Sequence, residues 1–122
     1  MNNNIEKRLK DINLENRVYI IFIILIILGE YANNKEIDYF LNNNINSKKV
    51  YYNIMVFVFI VTTIISGYYF YNSSMDLKDN SYFRKKEYAK LSYIASLFTF
   101  IASIMFLYIA ITDTEIEAEI SL

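Results

Sequence analysis

A chain of 122 residues, 55% hydrophobic, 20% charged and with a net charge of -1, has room for one domain, and its charges stand outside its long apolar runs. The absence of Cys excludes disulfides, thiol nucleophiles and Cys-ligated metals, and the absence of His removes the commonest general base and metal ligand. We therefore expect no enzyme, no cofactor and no nucleic-acid partner, and look instead to the lipid bilayer; the abundance of Asn, Ile, Lys and Tyr is what an AT-rich bacterial genome would encode.

Residues 1–17 are polar, with basic charge from Lys7, Arg8, Lys10 and Arg17. Ile5, Leu9 and Ile12 share one helical face, which admits an interfacial helix on an anionic leaflet. Three apolar residues bury little area, so the expectation is a frayed, solvated cytoplasmic leader that sets topology. The apolar run Val18 to Gly29 holds only 12 residues, about 18 Å as helix. Extended to residue 32, with Arg17 snorkelling at one end and Glu30 and Tyr31 in the headgroups, it makes a first span over 18–32. A cleaved signal peptide is the rival reading, but cutting after Ala32 would place Glu30 where a small residue is wanted. Its side chains are bulky from Tyr19 to Leu28, which predicts a peripheral helix, largely in lipid. Residues 33–49, rich in Asn, carry an apolar island, Ile37 with Tyr39, Phe40 and Leu41, that admits a short surface helix touching the headgroups, but the expectation is an outer loop anchored by the aromatics.

The second span, 50–71, is 22 residues without a charge, bracketed by Tyr51 and Tyr52 at one end and Tyr68, Tyr69 and Tyr71 at the other. Tyrosine favours the boundary between hydrocarbon and water, so the two clusters mark the two membrane edges. Within it Thr62 with Ser66 and Thr63 with Gly67 form two small-xxx-small pairs. Residues 72–90 are a polar connection expected in the cytoplasm, where Arg84, Lys85 and Lys86 act as a topology signal that could also attract anionic headgroups. Asn72-Ser73-Ser74 matches a glycosylation acceptor only formally, on the wrong side of the membrane.

The third span, 91–112, carries Ser92, Ser96, Thr99 and Ser103 at spacings of four, three and four, with Ala95 and Ala102 adjoining. Small, weakly polar stripes let helix backbones approach in lipid, so this face should meet protein, and the matching small face of the second span is the expected neighbour. Residues 113–122 alternate carboxylates and Ser121 with other residues in strict period two. That pattern would suit a strand added to a partner's sheet edge or a weak cation site, but the expectation is a disordered acidic outer tail.

With three spans, the leader and second connection hold nine Lys and Arg, against three in the first connection and tail. The positive-inside rule then puts the amino terminus in the cytoplasm and the carboxyl terminus outside a multi-pass cell-membrane protein. With two spans the bias would be seven against five, which is weak. The expected fold is thus all-α, a small integral membrane protein of three transmembrane helices in which the second and third pack as an antiparallel hairpin. Two functions compete: an accessory, regulatory or immunity-type binding protein, and a holin-like or channel-forming oligomer that permeabilises the membrane. A membrane protein or a second copy of the chain is the partner to expect. No ionisable group interrupts either long span, which argues against relays and voltage sensors, and no motif identifies a reaction or ligand.

Overall fold

Nothing in residues 3–42 forbids a helix: there is no Pro, and Gly29 alone lacks a side chain. In the computed structural model, which describes residues 3–78 and 86–112, that whole stretch is one helix, α1 (Asn3–Asn42). It is followed by α2 (Ile45–Lys78) and α3 (Lys86–Thr112), so the fold is all-α, with no strand among the described residues. Each of the three is long and apolar enough to cross a membrane. Arg84, Lys85 and the acidic tail lie outside the described residues.

The helices extend well past their apolar runs, and this corrects the expected loops. The described part of the leader, residues 3–17, is helical: it forms the first turns of α1, continuous with the apolar run and tied to α2 by an ion pair from Lys7 Nζ to Asp76 Oδ1 at 2.7 Å. The segment expected as a loop over 33–49 is helical except at Asn43 and Asn44. Asn43 takes a left-handed backbone (φ 53°), ends α1, and donates its N–H to the Tyr39 carbonyl at 2.8 Å. The Asn44 side-chain oxygen then caps α2 by accepting the N–H groups of Asn46 (3.1 Å) and Ser47 (3.4 Å).

α2 is the helix that both others pack against, each antiparallel to it, while α1 and α3 scarcely touch each other. The first helix stands at the edge of the bundle, packed on α2 with most of its bulky side chains exposed. Its buried residues, Val18, Leu25, Ala32 and Tyr39, recur every seven positions, the repeat of a left-handed supercoiled contact. On α3 the same repeat is occupied by small residues alone, Ala89, Ser96, Ser103 and Ala110, which lets α2 come close. Against α3, α2 pairs Tyr52 with Ile111, Phe59 with Phe106, Ser66 with Ser103, and Phe70 with both Phe100 and Tyr93. No large side chain among the described residues is fully buried, and long faces of Ile, Phe and Leu remain exposed. Water would not support such a surface, whereas acyl chains cover it without cost.

Candidate functional site

Two places concentrate polar groups, and both lie between helices. The first is the α2–α3 contact. In hydrocarbon a hydroxyl must find an acceptor, and the nearest is the carbonyl one turn back along its own helix. Thr62 and Thr63 donate in this way to Val58 (2.8 Å) and Phe59 (2.7 Å), and Thr99 and Ser103 to Ala95 (2.9 Å) and Thr99 (2.9 Å). The Ser66 and Ser103 hydroxyls meet across the interface at 3.0 Å, and each also has a carbonyl of its own helix within reach as acceptor, Thr63 for Ser66 at 3.0 Å and Thr99 for Ser103 at 2.9 Å. Thr63 Oγ1 also reaches within 3.3 Å of the Ser103 carbonyl, and Ser73 and Ser92 approach to 3.5 Å. Gly67 sits under the Phe100 ring, so that a Cβ there would lie 3.0 Å from it.

The small residues of α3 do not all serve this contact. Ser103 is buried and Ser92 and Ser96 are half-buried, Ser96 donating to the Tyr93 carbonyl at 3.0 Å. Ala95, Thr99 and Ala102 are exposed on the flank. The reason is the repeat: residues seven apart stay on the α2 face, and Ala95, Thr99 and Ala102 fall to one side of the line Ala89, Ser96, Ser103. Lys86 opens α3, exposed.

The second place is a cleft of about 80 Å³ where the start of α1, the end of α2 and the start of α3 converge. Arg8, Asp11 and Glu15 of α1 face Tyr69 and Asp76 of α2 across it. Burial, with Asp76 nearby, pushes the Asp11 carboxyl above its ordinary value despite Lys7 and Arg8. Arg8 Nη1 stands 3.5 Å from Glu15 Oε1, a loose pairing beside the tight one between Lys7 and Asp76. Charged residues of α1 thus stand level with the tyrosine-rich rim of α2, as expected if the apolar run of α1 is the shorter. A volume of this size suits a few waters, well short of the roughly 300 Å³ at which ligand pockets begin.

At the opposite end of the bundle the α1–α2 turn is knit by one carboxylate. Asp38 accepts from Asn42 Nδ2 (2.7 Å), Asn44 Nδ2 (2.9 Å) and Ser47 Oγ (2.5 Å). These bonds, that from Ser47 first, hold the Asp38 carboxyl below its usual range. Nearby, Tyr51, Tyr52, Met55, Phe59 and Phe106 line an apolar hollow of about 120 Å³ between α2 and α3, also too small for a ligand pocket.

Comparison with protein families, with curated proteins and with solved structures gives no match. Function therefore rests on this geometry. No group of three or more Asp, Glu, His or Cys that could hold a metal occurs among the described residues. The ion pair from Lys7 to Asp76, the Asp38 hub and the raised Asp11 are absent from the sequence reading. Asp38 had a local signal in the run Asn42, Asn43, Asn44, Ser47, a helix stop followed by a helix cap, whereas Lys7 and Asp76 carry no pattern that would join them.

Proposed function

We propose that this chain is a small three-span membrane protein of the binding class, an accessory, regulatory or immunity-type subunit with no transport pathway of its own. One observation carries the reading: Ser66 and Ser103, at the centre of the two small faces, are buried against each other between α2 and α3 at 3.0 Å. A conduit lined by Ser and Thr needs such groups facing water, and these two are turned into the helix contact, while Thr99 stands exposed on the flank. The charge bias of nine Lys and Arg against three supports an orientation with the Lys7 and Asp76 end in the cytoplasm and the Asp38 turn outside. Lys86 and its basic neighbours in the sequence would then face anionic headgroups.

The test is membrane potential in bacterial cells after induced expression, beside Ser103→Leu at matched membrane abundance. The binding reading expects an unchanged potential with both chains. Rapid depolarisation by the wild type, altered by the variant, would establish a holin-like or channel-forming oligomer in its place.

A further inference from the structure

We propose that α1 is also a dimerisation helix, pairing side by side and in register with α1 of a second copy of this chain through a seam on the face turned away from α2. Beyond the apolar run of α1 the chain passes the tyrosine rim of α2 into water, yet Ile5, Leu9, Ile12, Ile37 and Phe40 stand exposed on the polar extensions. Their spacing is that of a single heptad seam, alternating steps of four and three. Projected through the membrane, the same steps pass over Tyr19, Ile23 and Ile26, all exposed. Off the seam the exposed residues of the amino-terminal extension are Glu6, Lys10, Asn13 and Arg17, polar without exception, and Leu14 turns into the cleft beside α2. The carboxyl-terminal extension departs from this twice, at Tyr31 and at Leu41 on the seam's flank.

Three further points select a second copy as the occupant. The seam's polar positions include Asn16 and Asn33, whose amides both donate and accept, so each satisfies its own twin across a two-fold axis. Copies inserted with one topology run parallel, which places identical residues opposite each other; Glu30 then meets Glu30 at the end of the apolar run, where water screens the pair. The area also suffices. Eight large seam side chains between 38% and 69% exposed offer on the order of 100 Å² each, or roughly 800 Å² per copy, what each partner contributes to a standard interface. α3 leaves this face free, since the large seam residues stay exposed with α3 in place.

The chain lacks Cys, so single cysteines can be read without background. The full chain in lipid vesicles, oxidised after Leu9→Cys, Ile12→Cys or Ile37→Cys, should give a disulfide-linked dimer several-fold more abundantly than after Lys10→Cys or Arg17→Cys, because only seam positions bring like residues within disulfide reach. Ile12→Lys, outside the apolar run and turned away from α2, should abolish energy transfer between labelled copies at wild-type membrane abundance. Equal linkage at Lys10 and Ile12, a maximum at Ala95→Cys on α3, or energy transfer that survives Ile12→Lys would each overturn the proposal. So would a wild-type chain that stays monomeric, leaving the seam to lipid or to a foreign helix.

Discussion

Two glycines in apolar runs, Gly29 and Gly67, differ in what surrounds them. A Cβ on Gly67 would meet the Phe100 ring at 3.0 Å, whereas one on Gly29 would have nothing within 4 Å. Gly67→Leu should therefore wedge α2 from α3 and lower stability by about 1–3 kcal/mol, the range for overpacking. Gly29→Ala should be neutral or stabilising by up to about 1 kcal/mol, through the lower chain entropy of Ala. Unfolding of the full chain in detergent micelles, followed by circular dichroism, separates the two; equal losses would mean that Phe100 yields. Ser66 and Ser103 make a more modest contribution, about 0.6 kcal/mol for a typical hydrogen bond between membrane helices, so their contact acts more on register than on stability.

At the scale of elements, the α1–α2 turn depends on Asp38 more than on its asparagines. Its carboxyl titrates below its ordinary value because the folded turn supplies three donors. That stabilisation is present above the unfolded value near 3.8 and is lost as pH falls through the lower folded value. Amides at Asn46 and Ser47 should then exchange faster with solvent at pH 3 than expected from intrinsic rates, and Asp38→Ala should exchange fast at pH 7 too, with no further acid effect. Persistent protection in the variant would assign the turn to backbone capping alone. Asp11 has the opposite sign: its carboxyl is raised, so its contribution is full below about 3.8 and fades as pH rises through the folded value. The spans themselves were legible, because runs without charge at membrane length have few other meanings. The helical extensions were not, since Asn-rich stretches favour turns locally and only the cap at Asn44, the Asp38 hub and packing of Tyr39 against α2 overrule that preference.

For the whole molecule, α2 organises the other two helices, and bilayer thickness is the variable to which they respond unequally. The apolar run of α1 covers 12 residues and that of α2 covers 22, about 18 and 33 Å of helix. Thermal stability in vesicles should peak with acyl chains shorter than those of a 30 Å core, and Arg17→Leu should move the peak toward thicker bilayers. An optimum that ignores Arg17 would place the mismatch elsewhere. The α2–α3 hairpin could be anticipated from Ser66, Gly67, Ser96 and Ser103, small residues amid large ones. The α1–α2 seam could not, because Val18 and Leu25 are chemically like the lipid-facing Ile residues around them, and hydropathy has no contrast where every side is apolar. α1 itself has a mechanical consequence. A helix of 40 residues is about 60 Å long, twice the depth of the hydrocarbon it crosses, and it has no proline at which to bend. Such a rod, keyed to α2 from Lys7 to Tyr39, moves as one piece with it: a tilt imposed around Leu9 carries Phe40 at the other end.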